Sequence, residues 1–425
     1  MADAHVSSET QRFIDKDMHY GAHNYHPLPV VLTKGEGCFV WDVEGKRYYD
    51  FLSAYSAVNQ GHCHPKIVKA VCDQAGTLAL TSRAFHNDRM GDMLKKISEV
   101  TGFPKVLPMN TGAEGVETAI KAMRRWGYRV KGIPANKAEI IVAKGNFHGR
   151  TTTIVGFSDD PGAYADFGPA TPGFVQVDYD DLDALKKAIT PNTAGVLLEP
   201  IQGEAGVKMP SDAFLVGVRE LCTQNNVLLC WDEIQTGLGR TGRMFAWQHA
   251  CAKNPGCTFK GDCPSAGKAC ARPDLIILGK ALSGGLYPVS CVAAKEEVMN
   301  VFDPGSHGST YGGNPMAAAA AIAALEVLID EQLCEKALAL GVKAVARLQA
   351  GITSKNLKEV RGRGLMLAVE FTTPNAHDVA VELMEHGILA KDTHETTIRF
   401  APALVISEDD LNAALDKIIA VCNTY

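Results

Sequence analysis

A chain of 425 residues with 46% hydrophobic and 21% charged side chains is long enough to bury a large core, and its length suggests about two or three domains. The formal net charge of −6 leaves no basic stripe for nucleic acid, and no apolar stretch approaches the roughly 20 residues needed to cross a bilayer. The expected partner is a small molecule. Residues 1–17 set Arg12 and Lys16 against Asp3, Glu9, Asp15 and Asp17, the wrong balance for an organellar presequence, so the expected location is the cytoplasm.

In chain order, Gly61–His62–Cys63–His64–Pro65 first suggests metal ligands. The two histidines have no second cluster to complete a tetrahedron, so the segment reads as a helix-entry turn and no metal is expected. Helices are predicted over 65–76 and 87–101. From residue 105 apolar strands alternate with amphipathic helices, the mark of α/β architecture. The predicted strands are 105–109, 139–143, 174–177, 194–198, 227–231, 275–278 and 289–294, a sheet of about seven. The link over 280–288 is too short for a crossover helix, so the last strand is expected antiparallel to its predecessor and the sheet mixed, mostly parallel. After an alanine-rich helix over 314–330 the pattern changes to a smaller α+β unit: helix 333–352, strand 364–371, helix 378–386, strand 397–401 and a terminal helix. Ser407 is its expected cap, with Leu411, Ala414, Leu415, Ile418 and Ile419 on one face. The expected division is an N-terminal segment 1–54, a large domain 55–331 and a small C-terminal domain 332–425.

The chain has 12 cysteines, several in core-like runs, and most read as reduced, buried thiols. Cys251, Cys257, Cys263 and Cys270 instead recur among Pro, Gly and Lys in what reads as a surface loop over 251–270. Their spacing is too wide for a paired zinc knuckle. Idle loop thiols are the leading reading, with a disulfide behind it.

Two apolar runs end in charge: 275–279 delivers Lys280, and 227–231 delivers Asp232. A lysine that loses water favours its neutral form and becomes a nucleophile toward an aldehyde. Pyridoxal phosphate is the aldehyde that uses such a lysine, and a buried carboxylate keeps its ring nitrogen protonated. Taken singly, each residue could equally be an ordinary strand-end charge. The phosphate needs backbone N–H groups at a helix start, and Asn110–Thr111–Gly112–Ala113–Glu114–Gly115 supplies small residues between a strand and a helix over 116–129. A second candidate is Gly308–Ser309–Thr310–Tyr311–Gly312–Gly313, just before Asn314 as N-cap and Pro315 at N1. Phe147 and Arg150, in 144–150 after the strand 139–143, project an aromatic face and a guanidinium toward the same crevice. A dinucleotide enzyme is disfavoured because no strand is followed by GxGxxG. A dead scaffold would be expected to have lost Lys280 or Asp232.

Residues 23–30 (HNYHPLPV), 55–62 (YSAVNQGH), 199–206 (EPIQGEAG), 232–237 (DEIQTG) and 279–285 (GKALSGG) resemble the class III, fold-type I pyridoxal phosphate aminotransferases nearly end to end. The segments around Tyr25 and Tyr55 point to the branch acting on ornithine with 2-oxoglutarate, rather than on 4-aminobutyrate or N-acetylornithine. The resemblance implies that Lys280 carries the imine to the cofactor, Asp232 pairs with the pyridine nitrogen, Gln235 bonds the phenolic oxygen, Phe147 stacks on the ring, and Gly112 with Ala113 holds the phosphate. It also implies a homodimer with the site at the interface, where Ser309 and Thr310 reach the phosphate of the neighbouring subunit. Tyr25 and Arg150 are then expected to hold the α-carboxylate of ornithine, with Tyr55 in the same pocket. Arg399 is expected to be masked by Glu204 until 2-oxoglutarate enters. The loop 251–272 is longer than the family's usual connection.

Overall fold

The structure is a computed structural model that describes residues 7–251 and 270–425. Its centre is a seven-stranded sheet in the order Lys105–Met109, Ser290–Ala294, Leu275–Leu278, Leu228–Asp232, Thr193–Leu198, Glu139–Ala143, Phe174–Val177. Ser290–Ala294 runs antiparallel to both neighbours, and every other pairing is parallel, as the short link after Lys280 requires. Strands covered on both faces need no polar alternation. Thr193–Leu198, Leu228–Asp232 and Leu275–Leu278 are accordingly buried at every position.

Parallel register carries the chemistry to one edge. Asp232 pairs with Ile277, so Asp232 ends its strand beside the point where the neighbouring strand runs on into Lys280. Ligands of open α/β sheets bind outside the carboxyl ends of the strands.

The helix expected over 116–129 is Gly112–Trp126, continued by a π-helical turn, Gly127–Lys131. It begins four residues early because Thr111 caps it, accepting from Glu114 N while the Glu114 side chain returns to the Thr111 amide. Such a capping box satisfies two orphan donors at once. The alanine-rich helix Pro315–Asp330 is capped by Asn314 and buries Ala317–Ala321, Ala323 and Ala324, since a helix apolar on all sides belongs inside.

The smaller unit departs from expectation. The expected strand 364–371 is a hairpin of Leu357–Arg363 with Met366–Phe371, which continues through Thr397–Phe400 to Lys391–Thr393. Leu357–Arg363 is rich in charge, and Val360 and Arg361 are its buried positions, so periodicity hides it. Three short strands near the N-terminus, Leu32–Glu36, Phe39–Asp42 and Arg47–Asp50, also escape the sequence pattern. Arg47–Asp50 pairs in parallel with Ile388–Leu389, joining the start of the chain to its end. The terminal helix Glu408–Cys422 is capped by Ser407 and buries Leu411, Ala414, Leu415 and Ile418. No helix of the described residues is long and apolar enough to cross a membrane.

Candidate active site

Asp232 is 4% exposed. Its Oδ1 accepts from Ile234 N at 3.0 Å, and its Oδ2 meets His148 Nδ1 at 2.7 Å. Burial alone would push the His148 pKa down, but the bond to Asp232 and its charge reverse this and hold the imidazole above its ordinary value. Behind them Glu199 accepts from Phe147 N at 2.9 Å. Burial lifts the Glu199 carboxyl from 4.5 to about 8, with Asp232 adding to the rise and His148 opposing it.

Sequence reasoning assigned no role to His148 or Glu199. Glu199 ends the run Thr193–Leu198 as Asp232 ends its own, so the same signal was available. His148 carries no comparable mark, because its partner lies on another strand.

Lys280 has φ 44, in the left-handed region that costs an L-residue about 1–2 kcal/mol. Such backbone persists where the surrounding fold over-determines it, often at functional sites. Burial lowers the Lys280 pKa, with Glu204 and Asp232 opposing. The neutral, nucleophilic amine is thereby favoured, and among the described residues Nζ makes no hydrogen bond.

The helix start beside Lys280 is open to an anion. Ser290 Oγ donates to Thr111 O at 2.6 Å, and Asn110 N and Thr111 N go to Glu114 Oε2. The amides of Gly112 and Ala113 find no acceptor among the described residues, which leaves them and the helix dipole for a bound phosphate. Ser309 Oγ accepts from Asn110 Nδ2 at 2.8 Å and from Gly312 N at 3.0 Å, whereas Thr310 is exposed.

Phe147 and Arg150 line a cleft of about 1040 Å³ with Gln202, Glu204, Arg361 and Thr393. The Arg150 guanidinium carbon lies 5.4 Å from the centre of the Phe147 ring. At the back of the site Arg399 Nη1 donates to Glu204 Oε1 at 2.7 Å and to Gly203 O at 3.3 Å. Gln235 Nε2 donates to the same Glu204 oxygen at 3.0 Å and to Tyr55 O at 3.4 Å. Burial works to raise the Glu204 pKa, but Arg399 and Lys280 outweigh it and hold the carboxylate below its ordinary value. Tyr55 stands with its ring 5.5 Å from the Arg399 guanidinium carbon. Tyr25 is 75% exposed and near enough to act on the Tyr55 hydroxyl, whose pKa is raised first by burial and then by Glu204.

Cys257 and Cys263 lie outside the described residues, as does the rest of the loop between Cys251 and Cys270. Cys251 Sγ and Cys270 Sγ are 3.7 Å apart.

These residues fit pyridoxal phosphate: an uncommitted amine of lowered pKa, a buried carboxylate for a ring N–H, and two unused amides for a phosphate. A strand-end lysine and aspartate on a mixed seven-stranded sheet define a fold-type I enzyme of this cofactor. The family model Aminotransferase class-III matches residues 20–422. The chain belongs to that family and is a pyridoxal phosphate-dependent aminotransferase. Ornithine aminotransferase of Brevibacillus brevis is 53% identical over 413 residues, 97% of this chain and 98% of that one. A solved ornithine aminotransferase of Toxoplasma gondii, with partial occupancy of PLP at its active site, is 44% identical with a TM-score of 0.91, covering 97% and 93% of the two chains. Acetylornithine aminotransferase of Elizabethkingia anophelis is 47% identical with a TM-score of 0.85, covering 98% and 99%.

Asp232→Ala should weaken cofactor binding and slow turnover, because the neutral side chain no longer favours a protonated ring; near-normal kinetics in a titration with added cofactor would count against it. Glu199 bears on stability. In the unfolded chain its proton leaves near 4.5, while in the fold it stays until about 8, so the unfolded state binds fewer protons between these values and stability falls as pH rises. Glu233, lifted by burial to about 7, acts in the same direction. Glu199→Gln should flatten, without abolishing, the decline of Tm from pH 5 to 8; an unchanged slope would remove Glu199 from this account.

Proposed function

We propose that this protein is an ornithine δ-aminotransferase, transferring the δ-amino group of L-ornithine to 2-oxoglutarate to give glutamate 5-semialdehyde and glutamate. The observation that carries this reading is the Arg399–Glu204 ion pair beside Lys280. One pocket has to accept a cationic chain and then a dianion, and a masked arginine meets both demands. With Glu204 in place the site presents little positive charge to ornithine. When Glu204 swings aside, Arg399 forks onto the carboxylate next to the keto group of 2-oxoglutarate, while Arg150 takes the distal one.

In the same reading Tyr25 and Arg150 hold the α-carboxylate of ornithine, and Tyr55 walls the chain so that the δ-amine reaches Lys280. When bound, pyridoxal phosphate supplies the electron-withdrawing ring that makes the δ-carbon proton acidic. Asp232, steadied by His148, holds the proton on the ring nitrogen. Gln235 reaches the phenolic oxygen, Phe147 covers one ring face, and Gly112 with Ala113 binds the phosphate. Lys280 Nζ would take the proton from the δ-carbon as general base and deliver it as general acid to the cofactor's C4′, a role typically contributing about 10²–10⁴-fold.

The working unit in this proposal is a homodimer with the site at the interface, in which Ser309 and Thr310 reach the phosphate of the neighbouring subunit; the exposure of Thr310 supports it. A cytoplasmic location is supported by the buried, unpaired thiols of Cys38, Cys222, Cys230, Cys291, Cys334 and Cys422, which suit a reducing compartment. The likeness to an acetylornithine aminotransferase keeps N-acetylornithine as the second reading. Half-reaction spectra with ornithine, N-acetylornithine and 4-aminobutyrate test the choice: ornithine should convert the bound cofactor fastest, and a faster reaction with either rival would overturn the assignment.

A further inference from the structure

Tyr55 lies on unusual backbone. Ser53, Ala54, Tyr55 and Ser56 have φ of 49, 47, 58 and 70, four consecutive left-handed residues, none of them glycine. The turn is closed by Ala57 N donating to Ser53 O at 2.9 Å. L-residues visit this region as single residues and avoid it in runs, so something outside the turn must hold it.

The Asp50 carboxylate does so. Its Oδ1 accepts from Leu52 N at 2.9 Å and from Ser53 N at 2.8 Å, tying down the entry to the turn. Its Oδ2 is bonded by His62 Nε2 at 2.7 Å. The ring is aimed by its own backbone, since His62 N donates to Gly37 O at 2.8 Å and Gly37 N to His62 O at 3.1 Å. Gly35 leaves room for it: a Cβ there would stand 2.9 Å from the imidazole. Beyond the turn, Ala401 N donates to Phe51 O at 2.7 Å, which ties the same segment to the strand of Arg399.

We propose that His62 is a positioning residue for the amino-donor pocket: by fixing Asp50 it locks the left-handed turn that sets the Tyr55 ring against Arg399 and Glu204. The inference rests on the reading of that pocket as the place where ornithine binds. Without the lock the turn relaxes toward ordinary backbone and Tyr55 occupies its place for part of the time. Donor is then bound by the competent fraction alone, and the apparent affinity falls by that fraction while saturated turnover is kept. A residue that merely held the fold together would act differently, lowering the amount of active enzyme, and so kcat, at constant KM.

Steady-state kinetics of the holoenzyme with varied ornithine decide between these. His62→Ala is expected to raise KM about tenfold while kcat and the cofactor absorbance stay within about twofold of wild type. His62→Gln keeps a donor toward Asp50 and should stay within about threefold in KM. Ala54→Gly removes the steric penalty at one of the four left-handed residues, so adding it to His62→Ala should recover about threefold of the lost KM and leave about threefold unrecovered. In a Tyr55→Ala background the His62→Ala change should alter KM by less than about twofold, because the group it positions is gone. An unchanged KM in His62→Ala, a fall in kcat at constant KM, or an undiminished effect without Tyr55 overturns the proposal. Should His62→Ala not be recovered folded, the His62→Ala/Ala54→Gly protein is compared with Ala54→Gly alone, where a KM ratio near one overturns it. A wild-type enzyme that prefers N-acetylornithine rejects the substrate reading instead, and the same KM series is then read with that donor.

Discussion

Lys280→Ala protein is expected to lose the visible absorbance of lysine-bound cofactor and to turn over at a level reduced by at least about 10²–10⁴-fold, the contribution typical of a positioned general base. Removing the amine takes away both the covalent anchor and the proton carrier. The backbone should tolerate the change, because the left-handed φ of 44 at this position disfavours alanine no more than lysine. The measurements are an absorbance spectrum with saturating cofactor and a single-turnover assay with ornithine. A variant that keeps both the chromophore and the turnover ends the assignment of Lys280. Borohydride reduction of the wild type followed by peptide mapping gives an independent answer, since label at any other lysine is incompatible with it.

Arg399→Ala is expected to separate the two halves of the reaction. The ornithine half-reaction meets Arg399 covered by Glu204 at 2.7 Å, so its loss changes little there beyond leaving Glu204 bonded to Gln235 alone. The 2-oxoglutarate half-reaction uses the uncovered guanidinium, and two charge-assisted bonds of about 1.5–3 kcal/mol each imply a loss of roughly 10²–10⁴-fold in kcat/KM. Pre-steady-state spectra of each half-reaction read the two effects separately. Equal damage to both would contradict the movable ion pair. The buried Arg399 is also 7% exposed, so a Tm should accompany the kinetics to show that the variant is folded.

The sheet is legible in the sequence because strands such as Leu275–Leu278 and Leu228–Asp232 are covered on both faces and therefore read as unbroken apolar runs. The polar strands are not. Leu357–Arg363 gains its place by pairing with Met366–Phe371, and Arg47–Asp50 by pairing with a segment from the other end of the chain, contacts that no local pattern records. Lys280 and Asp232 could be picked out because each ends such a run. Glu199 ends one too, but a third strand-end charge had no chemistry waiting for it. The pairing of Glu204 with Arg399 was expected from family resemblance and not from spacing, since the two lie on separate elements brought together in the fold. The lock of His62 on Asp50 was hidden for the same reason, behind a histidine pair that invited a metal.

The parallel pairing of Arg47–Asp50 with Ile388–Leu389 also constrains how the molecule is made. On a ribosome the first of these strands emerges about 340 residues before the second, a delay of roughly 20–70 s at ordinary synthesis rates. Until then Asp50 and the turn it governs lack the neighbour that closes their sheet. Assembly of the donor pocket is thereby deferred until Ile388–Leu389 has emerged, whereas the central sheet, complete by Ala294, has all its strands available earlier.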